Sequence, residues 1–434
     1  MTVAKETTKD GPEEAPKPVP FWSPHLKGVR AQVTQKWAQT IVFLCVFVVG
    51  ILSLYWAILF RVENNLPALK IWVVDFDVVI SVATQIIQST TRRLGFTIKS
   101  PADFGNDPMA VRQSVYDEKA YAAIIVNANA TTLLREAVLQ GNTSYDPSGA
   151  AQVITISARD QTTYPTYIST PLFEFQFSVL TAFGQQWASE LANNASLDLS
   201  RVPQAVNPGI GFTNIDLRPF IPPVATPAVT IGLIYLIVIS FFSFPFRMPI
   251  HSKYINHRYP LRLSHLMIWR ILSTMAAYFF LSLCYSIVSL AYLIPFSNCP
   301  ASDTEPASNS NAYGKGSFVV FWMLNWMGMS ALGLPSENMG MILGPPWNAL
   351  WLIFWIITNV STGFYSLDLA PGFFAWGYAW PLHRIVEGSR TILFDTHSRI
   401  GLDFGILFAW VGISIALFPF AAMFMRWKKK KGMA

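Results

Sequence analysis

The sequence predicts a multi-pass α-helical membrane protein: six transmembrane helices, with an α/β extracellular domain inserted between helices 1 and 2. Three observations carry this. Of 434 residues, 52% are hydrophobic and only 13% charged, far from the usage of soluble domains. Several apolar stretches exceed the roughly 20 residues that a helix needs to cross a hydrocarbon core. Finally, the basic residues behind the net charge of +6 flank apolar stretches rather than covering one polar face, so they read as topology signals and no nucleic-acid partner is expected.

Residues 1–37 are expected to form a cytosolic tail, partly disordered: the first 20 are rich in Lys, Glu, Thr and Pro and lack any apolar period. Residues 38–60 form the first span. Lys27, Arg30 and Lys36 precede it, which places the N-terminus in the cytosol, because Lys and Arg resist translocation.

Residues 61–223 regain charge and alternate short β-rich runs with amphipathic ones, the pattern of an α/β domain. Leu69–Phe76 reads as a buried strand ending at Asp75 and Asp77. Val78–Leu94 reads as a helix closed by Gly95, and Phe96–Lys99 as a second strand. Helix and strand then repeat at Pro108–Tyr116 and Ala120–Asn127, and at Thr131–Leu139 and Gln152–Ala158. A long helix over Leu172–Leu191, with Phe173, Phe177, Leu180, Phe183 and Trp187 as its apolar side, leads back toward the bilayer. The sequons at Asn129, Asn142 and Asn194 all fall in this domain, as glycosylation on a lumenal or extracellular face requires.

The stretch Asp216–Phe246 carries the chain into the membrane again. No charge separates Arg218 from Arg247, and span 2 is set at 224–246. The following loop holds Arg247, Lys253, Arg258 and Arg262 and no acid, so it is cytosolic. Spans 3 to 6 follow at 266–296, 317–334, 347–364 and 406–425, within a membrane region of 224–425. Pro335–Pro346, with Glu337, joins spans 4 and 5, and 367–401 forms an amphipathic outer segment. Residues 426–434 are a basic cytosolic tail. Both ends in the cytosol require an even number of crossings, which six satisfies.

Few residues stand out as chemistry. Asp75 and Asp77 lie at the C-terminal end of a strand, where open α/β sheets place ligands; they are candidate ligand residues or solvated structural acids. Arg218 could hold a lipid headgroup phosphate or substrate, or simply snorkel. Asn325 and Asn359, in spans 4 and 5, could line a path or hydrogen-bond between helices. Gly328, Ala331 and Gly333 allow close helix approach. Cys45, Cys284 and Cys299 make neither a disulfide framework nor a metal site. The chain carries no phosphate-binding loop and no hydrolase motif, so no cofactor, metal or catalytic residue is expected and the reading is non-enzymatic.

Four stretches together carry a family likeness: Phe21–Arg30, Trp72–Asp77, Gly232–Phe242 and Pro371–Pro381. In these the chain resembles the fungal nitrosoguanidine-resistance membrane proteins over nearly its whole length after residue 20. Their layout is similar to the membrane halves of type-2 ABC exporters and to bacterial phage-infection proteins, with one span, a large outer domain and five further spans. The resemblance implies a plasma-membrane protein linked to resistance to toxic small molecules and to lipid organisation, and an association with a fungal secondary-metabolite pathway. The N-terminal tail is much shorter than that of the yeast member. The expected partners are the lipid bilayer and an amphiphilic small molecule, with a homodimer or a membrane-protein partner also open. The alternative is a scaffold that binds another membrane protein through its outer domain and helices.

Overall fold

The computed structural model describes residues 20–77, 94–193, 199–255 and 261–431. They fall into two compact units, residues 1–53 and 54–434.

In the first unit, a helical turn at Pro24–Leu26 leads into α1, Lys27–Ala57. None of α1's residues is buried, and its apolar surface reads as lipid-facing. In its first turn, Arg30 donates back to the Ser23 carbonyl at 3.0 Å and lies over the rings of Phe21 and Trp22.

The second unit begins with a five-stranded sheet of order β2-β1-β3-β4-β5. Its strands are β1 (Lys70–Asp75), β2 (Gly95–Lys99), β3 (Ala122–Val126), β4 (Ala151–Thr155) and β5 (Phe212–Asp216). β1 runs parallel to β2 and β3, β3 is antiparallel to β4, and β4 is parallel to β5. Because alternate side chains point to opposite faces, Ile71, Val73, Ile124 and Val153 pack on one side. There they meet Leu172, Phe175 and Val179 of α4, Ser169–Ala192. On the other side Val74, Ala123, Ile125 and Ile154 meet Val111 and Val115 of α2, Pro108–Tyr116. Both faces are covered, as a mostly parallel sheet demands. α3 (Ala130–Gln140) links β3 to β4.

The helix expected at Val78–Leu94, with Gly95 as its close, lies outside the described residues apart from Leu94. Gly95 opens β2, and a Cβ there would stand 2.1 Å from the Pro67 carbonyl oxygen. Two expectations change in α4. α4 buries Leu172, Phe175, Val179, Trp187 and Leu191, while Phe173 and Phe177 are exposed at 68% and 63%. Of the apolar side expected from the sequence, Trp187 and Phe183 do pack, against Leu134 and Val138 of the helix that follows β3, while the sheet takes Leu172, Phe175 and Val179. Nor does α4 lead to the bilayer, because β5 intervenes and Asp216 ends that strand.

Beyond β5 come α5 (Ile234–Ile255), α6 (Leu263–Ala291), α7 (Ser317–Leu343), α8 (Trp347–Gly363), α9 (Pro381–Phe394) and α10 (Ile400–Lys430). Among the described residues, five segments are long and apolar enough to cross a membrane: Pro24–Asn64, Pro223–His251, Leu263–Ala291, Gly314–Leu343 and Ile400–Lys428. At 17 residues α8 spans about 25 Å, short of a hydrocarbon core of about 30 Å.

α7 is the axis of the bundle, packed against α5, α6, α9 and α10. Its glycines permit this: a Cβ at Gly333 would stand 2.3 Å from the Tyr278 hydroxyl, and one at Gly328 2.5 Å from Ile385. The loop expected at Pro335–Pro346 is helical as far as Leu343. Pro335 reads in sequence as a stop, but packed neighbours tolerate proline inside a membrane helix. Glu337 is therefore buried in the bundle. It accepts from Arg270 of α6 at 2.5 Å and from Thr274 at 3.1 Å, an ion pair inside the bundle.

Within the segment 367–401 the stretch 381–394 is enclosed by its neighbours. α9 lies buried along both faces, every residue but Glu387. Its Leu382, Ile385, Val386 and Leu393 join Leu324, Leu332 and Trp355 in the bundle core, and its polar side meets the α/β domain.

Candidate functional site

A groove of ≈ 740 Å³ lies between the C-terminal half of α7, the start of α8 and α10. Trp351, Trp410, Leu417, Phe420 and Trp427 are among its walls. Along α10 it runs from Trp410 to Trp427, about 25 Å at 1.5 Å per residue. Trp351 stacks on Trp355 at 5.4 Å, and Trp355 meets Trp410 at 5.3 Å, so rigid indoles close the end nearer the α/β domain. Two polar residues, Asn338 and Ser414, enter this apolar surface. Asn338, 5% exposed, donates through Nδ2 to the Ser414 carbonyl at 2.9 Å, while its Oδ1 has no partner among the described residues. At the far end the Lys428 ammonium donates to the carbonyls of Ile342 and Leu343, both at 3.3 Å.

A second, polar cavity of ≈ 220 Å³ lies where α9 meets the α/β domain. Arg159, Arg390 and Arg399 face Glu118, Asp160, Asp368 and Glu387. Arg159 lies 3.7 Å over the Tyr121 ring and donates to the Ala120 carbonyl at 2.9 Å. The Tyr121 hydroxyl donates to Asp368 at 2.7 Å, Arg390 pairs with Glu387 at 3.0 Å, and Arg399 pairs with Glu118 at 3.0 Å. Burial pushes the Glu118 carboxyl up against the pull of Arg159. Burial also works to raise Glu387, but Arg390, His383 and Arg159 hold it below its ordinary value. His383 is pushed down by burial. As a neutral imidazole it donates from Nδ1 to the Thr362 carbonyl at 3.0 Å. The cations and acids answer one another, so the cavity reads as the polar seam between domain and bundle.

The residues singled out in the sequence separate. Asp75 and Asp77 do come to one cleft, of ≈ 250 Å³, at the carboxyl ends of β1 and β3, where Val126, Leu134, Phe183 and Trp187 supply an apolar floor. Yet the Asp75 Oδ1 accepts from the Asp77 N–H at 2.8 Å, and the Asp77 Oδ2 from the Thr131 N–H at 2.7 Å. Their visible work is to fix the turn after β1 and the start of α3. Among the described residues no group of three or more His, Cys, Asp or Glu could hold a metal ion.

Arg218 is a correction. It neither snorkels nor meets lipid: it is wholly buried and pairs with Asp395 at 3.3 Å. It donates to the carbonyls of Leu217, Ser302, Glu305 and Asp395 at 2.8–3.1 Å. Asn325 donates to the Ser286 hydroxyl at 3.0 Å. Asn359 donates to the Trp355 carbonyl at 2.9 Å and accepts from the Leu382 N–H at 3.2 Å. Both are buried between helices and line none of the three hollows described above. Asn129 and Asn142 are exposed, while Asn194 lies outside the described residues. Asn338 went unremarked in the sequence because the stretch holding it was read as a loop.

The family described as "Protein of unknown function (DUF3533)" matches residues 40–416, and the chain belongs to it. An uncharacterised endoplasmic reticulum membrane protein of Saccharomyces cerevisiae is 26% identical over 450 residues, covering 95% of this chain and 84% of its own length. No solved structure matches.

Proposed function

With membership of the DUF3533 family as the premise, we propose that this multi-pass membrane protein engages an amphiphile in the bilayer and so supports resistance to toxic small molecules, by exporting the amphiphile or by altering lipid distribution. The observation that carries the reading is the apolar groove of ≈ 740 Å³ among α7, α8 and α10. Its size lies within the range of small-molecule sites, and it opens on helices long enough to contact lipid chains along their length. α8 serves as the sixth crossing, completed by the segment that follows it. Both termini are then cytosolic, and the α/β domain with its exposed sequons faces the lumen or the exterior. The resemblance to the nitrosoguanidine-resistance proteins supports a role at the plasma membrane, and the yeast relative's printed location supports the endoplasmic reticulum; the two share this topology.

Deleting the gene and measuring uptake, export and sensitivity for a panel of lipophilic compounds tests the proposal. Unchanged values throughout would refute it. A second reading, a scaffold for another membrane protein, draws on Phe173 and Phe177, which stand exposed on α4 where a soluble domain ordinarily spares aromatics. A stoichiometric protein partner retained in mild detergent supports that reading, whereas bound lipid without protein supports the first.

A further inference from the structure

We infer that the polar cavity between α9 and the α/β domain is a site for a small zwitterion, a free α-amino acid whose carboxylate meets Arg159 and whose ammonium meets Asp368. The site is separate from the groove and does not depend on the groove holding an amphiphile.

Most charges around the cavity are already paired. Arg390 lies 3.0 Å from Glu387 and 3.7 Å from Asp160, and Arg399 lies 3.0 Å from Glu118. Arg159 and Asp368 both line the cavity, yet among the described residues neither makes an ion pair. Arg159 gives an Nη1–H to the Ala120 carbonyl at 2.9 Å and lies 3.7 Å over the Tyr121 ring. Its Nε and Nη2 make no hydrogen bond among the described residues. Neither nitrogen belongs to the sealed-off polar atoms without a partner, and the side chain is half-buried, so both can be reached from the cavity. Together they form one edge of the guanidinium, the fork that takes both oxygens of a carboxylate.

Asp368 is exposed and accepts from the Tyr121 hydroxyl at 2.7 Å and the Tyr378 hydroxyl at 3.4 Å. A carboxylate has about four acceptor positions, which leaves room for an ammonium. Tyr121 stands between the two charges, its ring under the guanidinium and its hydroxyl on the carboxylate. They therefore face a ligand from about one phenol apart instead of closing on each other.

The lining also chooses among ligands. Three arginines face four carboxylates, so with His383 neutral the wall is net negative and opposes a simple anion at Arg159. A simple cation would answer Asp368 and leave Arg159 bare. A zwitterion answers both and adds no net charge. Leu367 is the only aliphatic side chain in the lining among the described residues, so nothing there seats an acyl chain, and a free solute fits the ≈ 220 Å³ better than a lipid head. Arg159 follows β4 in the α/β domain, whereas Asp368 lies in the segment joining α8 to α9. The ligand would thus join domain to bundle.

The test reads the unfolding temperature of the full chain in mild detergent against the concentration of L-serine, glycerate, ethanolamine or dihexanoyl phosphatidylserine, from which each Kd follows. Glycerate lacks the ammonium and ethanolamine the carboxylate. L-Serine should bind about tenfold tighter than either, the effect of one charge-assisted hydrogen bond. Asp368→Asn should bring serine down to the level of glycerate while sparing glycerate itself. Arg159→Lys, which keeps the charge but not the fork, should weaken serine and glycerate alike. Because Asp368 is exposed, its variant should unfold with wild type when no ligand is added. No response to serine, equal responses to serine, glycerate and ethanolamine, or unchanged serine binding by Asp368→Asn would overturn the inference. Tighter binding of the lipid than of serine would overturn the assignment to a free solute. None of these results bears on the groove, which the lipophilic compounds probe.

Discussion

Replacing Arg218 by Met should destabilise the protein by roughly 3–5 kcal/mol, the usual cost of removing one partner from a buried ion pair. The side chain is fully buried, and its guanidinium joins three separate stretches. It holds Leu217 just after β5, the 301–305 loop between α6 and α7, and Asp395 after α9. Met keeps most of the volume but strips donors from these carbonyls and leaves the Asp395 carboxylate without its cation. Hydrogen bonds to a charged group contribute about 1.5–3 kcal/mol each. Their simple sum exceeds the figure given, because the 301–305 loop can take up water once released. The assay is chemical and thermal unfolding of the full chain in detergent, followed by tryptophan emission. The Arg218→Met/Asp395→Leu pair should recover part of the loss, since removing both charges from a buried pair is often nearly neutral. A Met variant that unfolds with wild type would refute the assignment of Arg218 as a brace. A double variant no better than the single would show that the carbonyls, not the ion pair, dominate.

Further outcomes follow from other sites. Gly333→Ala should cost about 1–3 kcal/mol through overpacking, because its Cβ would fall 2.3 Å from the Tyr278 hydroxyl; Gly401→Ala, with open space around it, should be silent in the same unfolding assay. Tyr145 donates to the Gly209 carbonyl at 2.8 Å, and burial, aided by Asp146, pushes its phenol up to about 12. The folded form holds this proton more tightly than the unfolded form, so the contribution is whole below about pH 10 and is lost as pH rises toward 12. Tyr145→Phe should flatten that part of the stability curve, and an unchanged slope would contradict the assignment. If the α/β domain is lumenal, Asn129→Gln and Asn142→Gln should each abolish one glycosidase-sensitive mobility shift; unglycosylated protein from a eukaryotic host would count against that topology.

Much of this architecture was legible where one physical rule acted alone. Charge beside apolar runs marked the membrane segments, and β-branched runs such as Ile71–Val74 marked the buried strands. Legibility failed where two rules competed. Phe-Thr-Asn-Ile-Asp at 212–216 lacks a clean alternation, and β5 is an edge strand that hides few residues. In α4, one aromatic stripe at 173 and 177 and another through 172, 175 and 179 satisfy the helical period equally; only the sheet's presence decides. Pro335 signalled an end that tertiary packing overrode, and with it Glu337 and Asn338 were assigned to the wrong environment. The groove was out of reach for a different reason: one wall, from Trp410 to Trp427, lies far along the chain from the other, from Pro335 to Trp351, and single-chain periodicity does not report which apolar faces remain uncovered.

The placement of α9 also bears on how the molecule is assembled. Residues 381–394 emerge late in synthesis, after the α/β domain and four of the helices that follow it, yet Glu387 and Arg390 supply one wall of the seam against Arg159 and Asp160. Until they arrive, Arg159 lacks Glu387 and Asp160 lacks Arg390, and the core around Leu324 and Leu332 lacks Leu382 and Ile385. Maturation of the domain is thereby made conditional on near-completion of the chain. A ribosome stalled before residue 380 should present a domain that quality-control proteases cleave readily, and release of the next few dozen residues should confer resistance in a single step.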